Sequence, residues 1–212
     1  MNNSANIFQA DAEHESAPES RGSPRFTLLI RAAKLVTKQG EFVCVIRDVS
    51  ESGISVRLFH ALPDEPQIEL QMPGGGRYEI QPVRTQANEA AFEFTQQVDV
   101  ARLIHEASEY PKRGLRLEVY FPITITMAGQ RYEGIIENLS QQGARFECEQ
   151  LFAIDQSLMI EGAESSVGFR EVRAKVRWRR DRHYGVVFDD TFTLGDFARL
   201  VARLQSPILL DD

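Results

Sequence analysis

Two arginines four residues apart, Arg21 and Arg25, stand in "RGSPR", and "DVSESG" follows from Asp48 to Gly53. Gly22 and Pro24 exclude a stable helix here, so the pair is set to wrap around a ligand instead of lining a helix face. Guanidinium forks hold phosphate oxygens through paired hydrogen bonds, read the O6/N7 edge of guanine and stack on purine planes. The Asp48 carboxylate can accept from guanine N1–H and N2–H2, and the Ser50 hydroxyl can donate or accept. Gly53 permits a tight turn with close backbone approach. Asp, Ser and Gly are also ordinary turn formers, so the six residues taken alone describe a turn as well as a site.

The pattern occurs twice, which strengthens it. "GEFVCVIRDVSESGISVRL" (40–58) lies over "QRYEGIIENLSQQGARFEC" (130–148), with Asp48 on Asn138, Ser50 on Ser140 and Gly53 on Gly143. Upstream, Arg21 and Arg25 fall on Lys112 and Arg116, and Arg113 stands beside Lys112. Each copy ends in a helical pattern containing "ARL", so the chain reads as one unit written twice.

The elements that must position these residues are mostly strands. "FTLLIRAAKLV" and "LEVYFPITITM" read as first strands, and "EFVCVIRDV" and "RYEGIIENL" as their returning partners across short turns. Four more strands follow in each copy: 54–59, 67–72, 78–84 and 90–95, then 144–148, 157–161, 170–179 and 184–188. Many short antiparallel strands in so small a unit predict closure into a barrel, which removes exposed edges. Closing helices follow from the stripes Val100, Leu103 or Ile104, Ala107 and Leu194, Phe197, Val201, Leu204. Thr193 and Asp196 have capping-box spacing, and Ser206-Pro207 stops the second helix. The fold class expected is mainly β: two tandem six-stranded antiparallel barrels, each with a C-terminal α-helix. The boundaries expected are an acidic disordered tail at 1–20, barrels at 21–108 and 109–206, and a C-terminal tail at 207–212.

Charge narrows the function classes. The net charge of −7 sits largely in residues 1–20, which hold four acids and no Lys or Arg. The remainder is nearly neutral, which argues against a general nucleic-acid binder, since that needs many unopposed cations. "KVRWRRDR" (175–182) alternates Val172, Ala174, Val176 and Trp178 with Arg173, Lys175, Arg177 and Arg179, and reads as an amphipathic strand with a basic outer face. No apolar run approaches transmembrane length, and the first residues lack a secretory pattern, so no membrane insertion and a cytoplasmic location are expected. Cys44 and Cys148 read as buried reduced thiols.

No catalytic set emerges. His14, His60, His105 and His183 show no metal-ligand spacing and read as surface or turn residues; "PGGGR" (73–77) lacks the Lys-Ser/Thr of a phosphate loop and reads as a hairpin turn. Neither a metal nor a cofactor is expected.

Arg-x-x-x-Arg, a strand hairpin and Asp/Asn-x-Ser-x-x-Gly together resemble the PilZ domain family, over about 21–108 and 109–205. "VRAKVRW…HYGVVF" and the final helix are similar to that family's closing elements. The resemblance implies a six-stranded barrel without enzymatic activity and cyclic di-GMP as ligand. Position by position it implies a complete site at Arg21, Arg25, Asp48, Ser50 and Gly53. A second, degenerate site falls at Lys112, Arg113, Arg116, Asn138, Ser140 and Gly143, where Lys112 keeps charge but loses the planar fork. The expected function is a cyclic di-GMP effector whose conformational change is read by a protein partner. A nucleotide-independent adaptor and a DNA-binding regulator are the competing readings.

Overall fold

The computed structural model describes residues 26–105, 114–163 and 168–210, with the side chains of 26–30 and 104–105 set aside. The first copy contains β1 (Phe26–Thr37), β2 (Gly40–Val49), β3 (Gly53–Arg57), β4 (Ile68–Gln71), β5 (Arg77–Gln86), β6 (Glu89–Phe94) and α1 (Val100–His105). The second contains β7 (Arg116–Met127), β8 (Gln130–Ser140), β9 (Gly143–Glu147), β10 (Ser157–Gly162), β11 (Val172–Arg180), β12 (His183–Phe188) and α2 (Leu194–Gln205). Each set of six strands closes into a barrel, ordered β1-β2-β3-β6-β5-β4 and, equivalently, β7-β8-β9-β12-β11-β10.

Alternation explains the closure. In β7, Leu117, Val119, Phe121, Ile123 and Ile125 are buried, with more exposed residues between them. Register irregularities recur at matching places: Ile46/Asp48 and Ile136/Asn138 on the returning strands, Pro82/Arg84 and Val176/Trp178 on the fifth. Such bulges add the bend and twist that a small barrel needs. "PGGGR" forms the β4–β5 turn, where Met72 and Gly76 are bonded across it and Gly75 takes φ +101°. Both cysteines are buried and free, and burial pushes the Cys44 thiol up to about 12.

α2 begins as its sequence dictates, with the Asp196 amide donating to the Thr193 hydroxyl at 3.1 Å. Its expected stripe is inward, Phe197 and Val201 being fully buried. Ala198, Leu200 and Ala202 are buried as well, because the helix lies between the two barrels. Gln205 closes a two-way clasp on β2: it accepts from the Glu41 amide at 2.8 Å and donates to the Glu41 carbonyl at 2.6 Å. Gly40, at φ +136°, makes room for it, since a Cβ there would fall 2.1 Å from the Gln205 amide oxygen. The Glu41 carboxylate bridges Lys34 of the first barrel, at 2.8 Å, and the Glu118 amide of the second, at 2.8 Å. Residues 207–210, expected as tail, form a 3-10 turn whose Leu209 is buried in the first barrel's core.

Two expectations are corrected. His60 is 5% exposed and packs on Phe42, so it is a core histidine and not a surface one. Trp178 lies on the outer face, 39% exposed, because the bulge after Val176 reverses the strand's alternation there.

Candidate functional site

The Asp/Asn-x-Ser-x-x-Gly segments are the tight turns joining β2 to β3 and β8 to β9. In the first, the Ser50 amide donates to the Gly53 carbonyl at 2.8 Å, and the Gly53 amide donates to the Ser50 hydroxyl at 3.1 Å. In the second, the Ser140 hydroxyl donates to the Gly143 carbonyl at 3.0 Å. Both serines are buried, at 6% and 7% exposure, so their hydroxyls serve the turn itself. The glycines are fixed by packing: an added Cβ would stand 2.8 Å from the Phe92 carbonyl oxygen at Gly53, and 2.1 Å from that of Val186 at Gly143. Ser and Gly thus shape the turn, and ligand chemistry falls to its neighbours.

Those neighbours follow from the register, since residues opposite one another on adjacent strands face the same way. In the second barrel Glu118, Asn138, Arg145, Gly185 and Trp178 form one outward row. Arg116, exposed at the first position of β7, is the Cα partner of Ser140. The repeat's second basic residue therefore stands beside the turn, one step from the half-buried Asn138. Trp178 lies across Gly185, where a Cβ would come within 1.9 Å of the indole nitrogen. An aromatic plane, a guanidinium and an amide thus line one exposed strip.

In the first barrel the matching row is Asp48, Ser55, Ala91 and Arg84. The Ser55 hydroxyl donates to the half-buried Asp48 carboxylate. Arg21, Arg25, Lys112 and Arg113, together with the tail 1–20, lie outside the described residues. Sequence reasoning missed Arg84, Ser55, Arg145 and Trp178, which join the row only through cross-strand pairing. The available signal was "RWRRDRHYG", in which Trp178 and Gly185 are equidistant from the hairpin turn at 181–182.

A closed six-stranded barrel with such a turn after its second strand defines a small β-barrel module with an open polar strip. Residues 111–206, which span the second barrel, match the family model described as PilZ domain. No curated protein matches it by sequence. Among solved structures it is similar to the PlzA protein of Borreliella burgdorferi in complex with c-di-GMP, with 13% identity over 88% of this chain and 95% of that one and a TM-score of 0.35. It is also similar to Escherichia coli YcgR in complex with c-di-GMP, with 10% identity over 79% and 80% of the two chains and a TM-score of 0.33. The K. pneumonia MrkH-c-di-GMP complex gives 13% identity, 85% and 88% coverage and a TM-score of 0.32. At such scores the fold assignment rests on strand order and the family model.

Proposed function

We propose that the chain is a non-enzymatic cyclic di-GMP receptor in the cytoplasm, built from two PilZ-type units at 21–108 and 109–206. The observation that carries this reading is the pairing of Arg116 with Ser140, which sets a motif arginine against the turn in the copy where both are described. By the repeat, Arg25 takes the same place beside Ser50. The first site then consists of Arg21, Arg25, Asp48, Ser50 and Gly53. Arginine forks take the phosphates and guanine edges, Asp48 accepts from N1–H and N2–H2, and Ser50 with Gly53 holds the turn open to the ligand. The second site uses Lys112, Arg113, Arg116 and Asn138 on the turn set by Ser140 and Gly143. Lysine for arginine weakens it, while Trp178 and Arg145, standing where the first barrel has Arg84 and Ser55, add an aromatic face and a further guanidinium.

The signal is a change of surface. Ligand draws residues 21–25 against the Asp48 row, and a protein partner reads the new face. The Gln205 clasp and the shared helix α2 favour this local change over a hinge between barrels.

Calorimetric titration of the full chain with cyclic di-GMP, with GTP as control, tests the reading. Binding is expected, its first-site component lost in Arg25→Ala and in Asp48→Ala and the total only reduced in Lys112→Ala. Normal binding by Arg25→Ala would show the site assignment to be wrong. No binding under varied temperature and low salt would favour the adaptor reading.

One observation favours a second reading, polyanion binding. Arg173, Lys175, Arg179 and Arg180 are exposed on β11 and make no ion pair among the described residues. Duplex DNA binding that falls steeply with salt and is lost in Arg179→Ala would support it.

A further inference from the structure

Glu137, Glu147 and His183 are far apart in sequence, yet each places one ligand atom within 4.8 Å of the others. Glu137 is the bulge residue of β8, and Glu147 is the Cα partner of His183 across β9 and β12. All three are half-buried. The His183 Nδ1 is 3.1 Å from Glu137 Oε2, and Arg145 Nε holds the same oxygen at 2.5 Å. Neither Glu137 Oε1 nor the Glu147 carboxylate has a hydrogen bond or ion pair among the described residues. Arg145 balances Glu137, but withdrawing the Glu147 carboxylate from water without a partner is costly and calls for a cation.

The first barrel shows how the same positions are otherwise balanced. Register places Arg47, Arg57 and Glu89 where the second barrel has Glu137, Glu147 and His183. There Arg47 lies 3.9 Å from Glu89, and the cation belongs to the protein. In the second barrel the balance is left incomplete, and an acid-lined cleft of about 670 Å³, bordered by Glu133, Glu147 and Glu149, opens beside the cluster.

We propose that Glu137, Glu147 and His183 bind a divalent transition-metal ion, with zinc as the representative species. Two carboxylate oxygens and one imidazole nitrogen supply three protein ligands and leave a fourth position to water. Arg145, fixed to Glu137 Oε2, orients that carboxylate from outside so that Oε1 faces the ion. Arg180 stands opposite His183. With Arg145 paired to Glu137 Oε2, the cluster's charge is partly balanced, and the imidazole of His183 holds an ion by direct ligation. That favours zinc over magnesium or calcium, which take all-oxygen sets.

Zinc ions alone, titrated calorimetrically into the chelator-stripped full chain, test the proposal. One site is expected, weakened at least about tenfold in Glu147→Gln and in His183→Gln, with circular dichroism of both variants unchanged. Cobalt loading of the parent chain should give a spectrum free of thiolate bands, since Cys148 is the nearest competing ligand in sequence. Absent zinc binding, zinc binding unaltered in either variant, or a thiolate–cobalt band would each overturn the site. The proposal does not rest on nucleotide binding, and no arm contains nucleotide, so the two readings fail separately.

Discussion

The two barrels share their strand order and the bulges of their returning and fifth strands, but little of their chemistry. Inside, the partners Val56 and Ala90 of the first correspond to Phe146 and Tyr184 of the second, which stack with centroids 5.1 Å apart. Outside, Arg47, Arg57 and Glu89 face Glu137, Glu147 and His183. Along the candidate ligand row, Asp48, Ser55 and Arg84 face Asn138, Arg145 and Trp178. What both copies keep is the turn. The fold therefore demands the Ser and the Gly, and function has been free to differ around them. A motif read as one ligand signature is, physically, a conserved turn plus a variable strip.

The sharpest way to break this view is at the glycines. A Cβ at Gly143 would meet backbone at 2.1 Å, against 2.8 Å at Gly53. Gly143→Ala is expected to cost about 3 kcal/mol of stability and Gly53→Ala about 1 kcal/mol, since a carbonyl cannot yield as a side chain can. Urea denaturation of both variants measures this. Equal costs would mean that the two turns differ less than their packing indicates.

Next in size is the clasp joining the barrels. Gln205→Ala removes two hydrogen bonds to Glu41 and leaves a hollow over Gly40, for an expected loss of about 2 kcal/mol. If the barrels are one cooperative unit, a single unfolding transition moves to lower denaturant. Two separated transitions in the variant would show that the clasp is what couples them.

The lone tryptophan distinguishes the two ligand strips. Trp178 is in the second row only, so its fluorescence should report occupation of that site and be silent to the first. Trp178→Ala should weaken second-site binding about tenfold, as expected for one lost base–aromatic stack, and leave the first site unchanged. A fluorescence change that vanishes in Asp48→Ala would instead place the reporting event in the first barrel.

Much of this was legible from residue patterns, and the limits are instructive. Strand number, the repeat and the α2 stripe follow from alternation and spacing, because those periodicities are set locally. Trp178 was misplaced because a bulge adds one residue and turns the side chain over, which no period-2 pattern reveals. Ala198 and Ala202 of α2 gave no apolar signal strong enough to announce a second buried face. The ligand row and the Glu137–Glu147–His183 cluster depend on partners three strands away. Cross-strand register brings them together, and register is a property of the closed barrel.

The smallest effect expected is also asymmetric between the barrels. His60, in the first, is buried with Nδ1 2.7 Å from the Ala61 carbonyl oxygen and its Nε2 without a partner among the described residues. Burial lowers its pKa from the ordinary 6.5, and the contact with Ala61 offsets part of that. Below 6.5 the unfolded chain takes up this proton and the folded chain does not. The stability tied to neutral His60 is therefore complete above that pH and is lost as pH falls toward the lowered folded value. The loss should appear first where the ring packs, around Phe42 and the Ala61 amide that donates to Leu209 at 2.8 Å. Hydrogen exchange in mild acid should thus show first-barrel amides losing protection before those of the second. In His60→Gln the difference should disappear. Equal loss in both barrels, or a difference that survives the substitution, would assign acid sensitivity to some other group.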